Sequence, residues 1–216
     1  MNSEQEKNKL IEVLKKEGHI KSKKVENAFR KVDRRLFISP KYSDDAYADH
    51  PLPIGCSQTV SAPHMVAIMS ELADIRDSDE ILEIGTGSGY QAAILAELAK
   101  TGHVTTVERH KELFENASNL IERLGYGNIT CRCGDGTLGY GENAPYDRII
   151  VTAASPRIPK QLISQLGKNS KLLIPVGDRI RQTLVEVFKK EDEKIEIHEH
   201  GGCVFVPLIG ADGWDI

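Results

Sequence analysis

Between Glu80 and Val176 the chain switches hydrophobic period repeatedly, and that alternation restricts its fold more than any other feature. Strand-type runs at Glu80 to Ile84, His103 to Glu108, Asn128 to Cys133, Tyr146 to Thr152 and Lys171 to Val176 alternate with helix-type runs. The helix-type runs are Gln91 to Lys100, Lys111 to Leu124 and Pro159 to Leu166. Strands separated by helices pair in parallel through crossovers, so the pattern predicts an α/β, doubly wound, mostly parallel sheet covered on both faces. Thr183 to Lys189, Lys194 to His198 and Cys203 to Leu208 read as three further strands with short links, which suit antiparallel pairing at one sheet edge. Ahead of the alternation lie two helical patterns, Leu10-Ile11-Val13-Leu14 and Val25-Ala28-Phe29-Val32, separated by Gly18. From Ser39 to Pro63 the chain holds Pro40, Pro51, Pro53, Gly55 and Pro63, too much proline for a helix, and is expected to be an ordered loop. A helix on Met65, Ile68, Met69 and Leu72 follows, with Ser61 expected as its N-cap and Pro63 in its first turn. The expected organisation is a helical extension and loop over 1–60 packed on a single domain over 61–216.

In a doubly wound sheet, ligands bind beyond the carboxyl ends of the strands, where the strand order reverses. The first strand of the alternation ends in Glu83-Ile84-Gly85-Thr86-Gly87-Ser88-Gly89-Tyr90. Gly85, Gly87 and Gly89 allow a tight turn and close approach of backbone to a ligand. A dinucleotide fingerprint needs Gly or Ala where this chain has Tyr90, and Glu83 would repel a pyrophosphate. A cationic ligand without phosphates fits better: S-adenosylmethionine carries an ammonium and a sulfonium, and Glu83 suits its amino-acid end. Glu83 acting only as a cap on the turn's backbone donors is the plainer alternative. Glu108 ends the next strand, where a carboxylate can accept from both ribose hydroxyls. Asp135, in Gly134-Asp135-Gly136, follows the third strand and can accept from an exocyclic adenine amine.

Beyond this turn, residues 34 to 214 resemble the protein-L-isoaspartate (D-aspartate) O-methyltransferases. The resemblance is carried by Tyr47 to Gly55, Gln58-Thr59-Val60-Ser61-Ala62-Pro63-His64-Met65, Leu82 to Ala93, Gly134 to Thr137, Ala144 to Asp147, Ile150 to Ala154 and Phe205 to Leu208. It implies a Rossmann-like methyltransferase fold and transfer of a methyl group from S-adenosylmethionine to the α-carboxylate of L-isoaspartyl residues, with D-aspartyl residues as a second acceptor, in damaged proteins and peptides, leaving S-adenosylhomocysteine. It places the family's active-site serine at Ser61. Donor contacts fall at Thr59, Val60, His64, Glu83, Gly85, Glu108, Asp135, Gly136 and Gln182, joined by Gly87 and Gly89 of the turn. Substrate contacts fall at Ser61, Thr152, Ala153, Val204 and Phe205. A carboxylate, with a pKa of about 4, is already a nucleophile at neutral pH, so the reaction needs in-line placement rather than a general base. A methyltransferase acting on a small-molecule carboxylate is the alternative; it would keep the glycine turn but has no use for Gln58 to Met65.

The rest of the sequence narrows partners and setting. Residues 1–41 carry 12 Lys/Arg against 6 Asp/Glu, leaving 16 against 26 for the remainder. A basic head can bind nucleic acid, but Lys15, Lys16, Lys23, Lys24, Arg34 and Arg35 read as solvated helix faces, and no nucleic-acid partner is expected. No run is apolar enough to span a membrane, and the polar, acidic start lacks a secretory pattern, so a cytoplasmic monomer is expected. Cys56, Cys131, Cys133 and Cys203 include no CxxC pair and read as free thiols without a metal. His198 and His200 share a strand face that alternates with charges and reads as solvated. Cys56-Ser57 stands where the family has a larger residue and then glycine, a departure in the loop over the site. Lys168-Asn169-Ser170 replaces a glycine-rich turn and is expected to alter a surface loop alone.

Overall fold

The computed structural model describes residues 3–215. The head forms α1 (Ser3–Lys16) and α2 (Lys23–Lys31), followed by short 3₁₀ turns at Arg34–Phe37 and Pro40–Asp45. Ser22 caps α2 by accepting from Val25 N at 3.1 Å, and Glu71 Oε1 accepts from the Lys21 and Ser22 amides, both at 2.8 Å. This end of α2 is thereby tied to the helix that precedes the sheet.

The loop expected over 39–63 contains a two-stranded hairpin, β1 (Leu52–Gly55) with β2 (Gln58–Val60). Its central residues, Cys56 and Ser57, have φ of 49° and 56°. Both values are those of the primed turn that matches strand twist, here adopted without the usual Asn-Gly pair. Next come α3 (Pro63–Ala73), β3 (Glu80–Ile84), α4 (Tyr90–Leu98), β4 (His103–Glu108), α5 (Lys111–Arg123) and β5 (Ile129–Cys133). The chain continues through β6 (Tyr146–Val151), α6 (Lys160–Gln165), β7 (Leu166–Gly177), β8 (Gln182–Lys189) and β9 (Ile195–Cys203).

The large sheet has the order β5-β4-β3-β6-β7-β8-β9. Strands β3 to β7 pair in parallel, whereas β8 and β9 run antiparallel at the edge. The order reverses at β3, which lies between β4 and β6, so the crevice opens above the carboxyl end of β3. The pleat sends alternate residues to two cores. Ile81, Val104, Ile150 and Leu173 pack with α1 to α4, while Leu82, Ile84, Ile149 and Leu172 pack with Leu162 of α6. The first core also takes in Leu10, Phe29, Phe37 and Val60, so head, loop and sheet share one continuous apolar cluster.

Three local expectations are corrected. Ser61 is not the N-cap of α3: that position is Ala62, whose side chain has no acceptor; Pro63 has no amide to satisfy, and the His64 amide is served instead by Asp49 Oδ1 at 2.9 Å. The run Cys203 to Leu208 is not a strand. Strand β9 extends through Cys203, and beyond it the chain is tied by Ala154 N to Val206 O and Leu208 N to Ala154 O, both at 2.8 Å. Arg34 is not part of a solvated face; it is 1% exposed. The other head cations are largely ion-paired, including Lys24 with Asp77, Arg30 with Glu12 and Glu26, and Lys31 with Glu97. Among the described residues no helix is long and apolar enough to cross a membrane, and no group of three or more His, Cys, Asp or Glu could hold a metal ion. The four cysteines are free, and His200 pairs with Glu186 at 3.0 Å on the edge ribbon.

Candidate functional site

The carboxyl ends of β3, β4 and β6 frame a partly open cleft lined by Gly85, Gly87, Glu108, Gly136 and Thr152. Its floor is the glycine turn. Gly85 and Gly87 adopt φ of 95° and 53°, and a Cβ on Gly85 would collide with Thr152 Oγ1. The Thr152 hydroxyl lies within bonding distance of the Ile84 and Gly85 carbonyls, at 3.0 and 2.7 Å, which locks the turn to the end of β6. Gly136 closes the other side, where a Cβ would strike Ile84. Glycine is therefore required at Gly85 and Gly136 by close packing against Thr152 and Ile84, which leaves the backbone of the turn lining the cleft.

Glu108 lines this cleft and is 5% exposed. Its Oε2 accepts from Gly87 N and its Oε1 from His110 N, both at 2.9 Å. Each carboxylate oxygen has about two acceptor sites, so one on each oxygen is left for the paired hydroxyls of a ribose. Asp135 stands just outside the cleft wall, in a neighbouring depression with Arg109 and Gly210. Its Oδ1 accepts from Thr137 N and Thr137 Oγ1, and its Oδ2 accepts from Ala211 N at 2.8 Å. These bonds hold its carboxyl below the ordinary range against the opposing effect of desolvation. By the same count, Oδ2 keeps one acceptor site for an adenine amine.

Glu83 is placed differently from the sequence expectation. It is wholly buried under the turn, does not line the cleft, and belongs to a chain in which Thr86 Oγ1 meets Thr106 Oγ1 at 2.6 Å and Thr106 in turn bonds Glu83 Oε2. Its Oε1 has no hydrogen-bond partner among the described residues. Desolvation, with Glu108 nearby and only the Thr106 bond opposing, pushes the carboxyl up to about 8. The spare acceptor sites of Glu108 and the glycine-lined wall of the cleft fit a nucleoside, whereas Glu83 lies beneath the turn and does not reach a ligand in the cleft.

A second, larger depression adjoins the cleft; Thr59, Thr152 and Val206 line both. It brings together Ser61, His64, Val204 and Phe205, residues far apart in sequence. His64 therefore lines this second cavity and not the donor cleft. Its ring Nδ1 lies 3.0 Å from Asp49 Oδ1, which also accepts from His64 N at 2.9 Å. Val204 is 79% exposed at the rim. Gln182 lines neither cavity: its Oε1 accepts from Phe205 N at 2.9 Å and its Nε2 donates to Asp178 O at 2.7 Å, so it fixes the Phe205 segment. Gly89 also lies outside; it is the N-cap of α4 with φ of 87°, packed on Ile121 and Ala117 of α5. Val60 points into the core, 5% exposed, which leaves its backbone alone for any donor contact. Ala153 lines the donor cleft.

Sequence reasoning missed Arg109 and Leu208-Ile209, which complete the cleft wall, and Asp49, which orients His64. Arg109 directly follows Glu108 and Asp49 lies within Tyr47 to Gly55, so position was the available signal for both. Ile209 reaches the cleft because the tail folds back, which no local pattern announces.

Comparison with known proteins agrees with this geometry. The sequence profile of the family described as protein-L-isoaspartate(D-aspartate) O-methyltransferase matches residues 4–213. The chain is 52% identical over 205 residues to a protein-L-isoaspartate O-methyltransferase of Pyrococcus horikoshii, covering 94% of this chain and 93% of that one. It is 51% identical to the enzyme of that name from Methanopyrus kandleri, over 95% and 92% of the two chains. A Plasmodium falciparum structure titled as a protein-L-isoaspartate O-methyltransferase in complex with S-adenosyl-L-homocysteine superposes with a TM-score of 0.82 at 28% identity, over 93% of this chain and 97% of that one. With a match that runs through the head, the glycine cradle and the tail alike, this chain belongs to the protein-L-isoaspartate(D-aspartate) O-methyltransferase family.

Proposed function

We propose that this chain is a protein-repair methyltransferase that moves a methyl group from S-adenosylmethionine to the α-carboxylate of isoaspartyl residues in damaged proteins and peptides. The observation that carries the reading is the junction of the two cavities at Thr59, Thr152 and Val206. A donor held on Gly85, Gly87, Glu108 and Gly136 would meet an acceptor held by Ser61, Val204 and Phe205 at that junction. When bound, the donor supplies an activated methyl group on a sulfonium. Everything else is placement by the chain's own residues.

Glu108 orients the nucleoside through its two spare acceptor sites, and Asp135 Oδ2 offers a third to the base. Ser61 offers a hydroxyl to the acceptor carboxylate beside Thr152, while the exposed rim at Val204 leaves room for flanking polypeptide. No basic residue has to remove a proton, because the carboxylate is ionised at neutral pH. Holding the reacting atoms in line can contribute several kcal/mol to the rate.

The proposal extends to action in the cytoplasm as a monomer, a setting in which the four free cysteines stay reduced. A methyl-acceptor assay that compares an isoaspartyl peptide with its aspartyl isomer tests the reading. Selective labelling of the isoaspartyl form is expected; equal and negligible labelling of both would sink it. Sedimentation at working concentration checks the monomer.

A further inference from the structure

Arg34 opens the 3₁₀ turn Arg34–Phe37, capped by the Asp33 side chain. Burial of a guanidinium is costly without compensation, yet Arg34 is 1% exposed and makes no ion pair with a carboxylate among the described residues. Desolvation lowers its pKa, opposed by Tyr90, Asp49 and Tyr47. Its partners are backbone carbonyls. Nη1 donates to Ala46 O at 2.8 Å and, weakly, to Ala48 O at 3.5 Å; Nη2 donates to His50 O at 3.0 Å and to Ser61 O at 3.1 Å. The guanidinium also lies 5.9 Å from the centre of the Tyr90 ring, at the first residue of α4 after the glycine turn.

These carbonyls come from two stretches separated by the β1–β2 hairpin. One stretch brackets Asp49, whose carboxylate holds the His64 amide and ring. The other is Ser61 itself. A single planar fork with five donors therefore gathers both sides of the loop, which a lysine ammonium on a flexible stem does not reproduce.

We propose that Arg34 is a positioning residue for methyl transfer: its buried fork sets Ser61 directly, and His64 through the backbone around Asp49, in the acceptor cavity without touching substrate. The proposal rests on the reading of that cavity as the acceptor site. The guanidinium is held by carbonyl dipoles with its Nε unpartnered, so its removal leaves those carbonyls without donors and also lowers stability. Its geometric effect is larger, because a misplacement of about 1 Å at reacting groups can lower a rate by about 100-fold.

The test uses the full chain and the variants Arg34→Lys and Arg34→Ala. Calorimetric titration with S-adenosylhomocysteine counts correctly folded donor sites, and steady-state kinetics with an isoaspartyl peptide give KM and kcat per site. We expect both variants to keep one donor site per chain with affinity within about 3-fold of the parent, while kcat/KM for the peptide falls by about 30- to 100-fold, with a raised KM. Millimolar guanidinium should restore part of the activity of Arg34→Ala; if the defect were mere instability, the additive, far below the molar range that unfolds proteins, would leave it unchanged.

The proposal is overturned if activity falls only in step with the number of donor sites at unchanged KM, or if Arg34→Lys matches the parent. Should a variant fold poorly, saturating S-adenosylhomocysteine supports the folded state, and peptide affinity is read on that complex; parental affinity there would overturn the proposal as well. A parent enzyme that does not distinguish isoaspartyl from aspartyl peptide defeats the acceptor reading and this proposal together. A parent that distinguishes them alongside an Arg34→Lys variant of equal efficiency defeats only the role of Arg34.

Discussion

Glu83 and Glu108 end adjacent parallel strands, yet their environments give them opposite duties. Glu108 has a backbone donor on each oxygen and faces the cleft, whereas Glu83 is sealed beneath the turn with one oxygen unpartnered. Folding raises the Glu83 carboxyl from 4.5 to about 8. Between those values the folded chain binds one proton more than the unfolded chain, so this group's contribution makes stability fall as pH rises, then flattens above about pH 8. Glu83→Gln mimics the protonated form and should raise the donor-free melting temperature at pH 8, by roughly 2–4 °C for each kcal/mol of penalty removed. The gain should shrink toward pH 5; a gain independent of pH in thermal scans would contradict a neutral Glu83. Glu108→Gln leaves an amide hydrogen facing a backbone N–H, and losing charge-assisted bonds worth about 1.5–3 kcal/mol should weaken S-adenosylhomocysteine binding by about 10- to 100-fold in calorimetry. Ser61→Ala should instead lower kcat/KM by about 10- to 100-fold with donor affinity within about 3-fold. Parallel collapse of donor affinity would make Ser61 a donor residue. Ser61 was legible through the motif around it, but its expected role as a helix cap was not, because a cap is decided by the φ and ψ of the neighbouring Ala62 and Pro63.

At the scale of elements, the glycine turn does two separate things that its spacing does not distinguish. Gly85 brings backbone against Thr152 at the floor of the cleft, while Gly89 starts α4 and lets α5 approach through Ile121 and Ala117. Both have φ near +90°, so alanine is strained at either position. Gly89→Ala should cost about 1–3 kcal/mol of stability in denaturant melts, with donor affinity retained by the folded fraction. Gly85→Ala should cost stability and also abolish donor binding, since the displaced Thr152 lies between both cavities. The strands and helices of the alternation were legible because their periods are strong. The β1–β2 hairpin was not, since Cys56-Ser57 lacks the residues that announce a primed turn and the prolines around it speak for irregular chain. The tail from Cys203 to Leu208 misled for the opposite reason: Leu208 is buried and Val206 packs on the second core, but the segment is held by Ala154 rather than in a strand ladder, and Val204 is exposed.

For the molecule as a whole, the apolar cluster that runs from Leu10 through Phe37 to Leu184 ties the head to the sheet. Head and body are therefore expected to unfold together. Circular dichroism and the fluorescence of Trp214 in the tail should give coincident thermal transitions, and an earlier melt of the helical signal would show the head to be a separate unit. Saturation with S-adenosylhomocysteine at about 100 times its Kd should stabilise that single transition by roughly 2.7 kcal/mol. The tail takes part in the same unit, for Asp135 holds Ala211, and Trp214 Nε1 donates to Ala154 O at 3.1 Å.

The sequence by itself determined the doubly wound sheet, the glycine turn, the acids at or just past the carboxyl ends of β3, β4 and β5, and the family motif at Ser61. Those features are local: they follow from hydrophobic period, from backbone freedom at glycine and from the residue type at a strand end. Only the tertiary structure decided which acid faces the cleft, that Gln182 fixes Phe205, that His64 belongs to the second cavity, and that Arg34 is buried. Each of these depends on which distant backbone groups come within hydrogen-bond reach once the chain is packed. The Asp33-Arg34-Arg35 run illustrates the difference, since two adjacent cations of equal charge end in opposite environments: Arg35 exposed beside Asp33, and Arg34 enclosed by the carbonyls of a loop that folds over it.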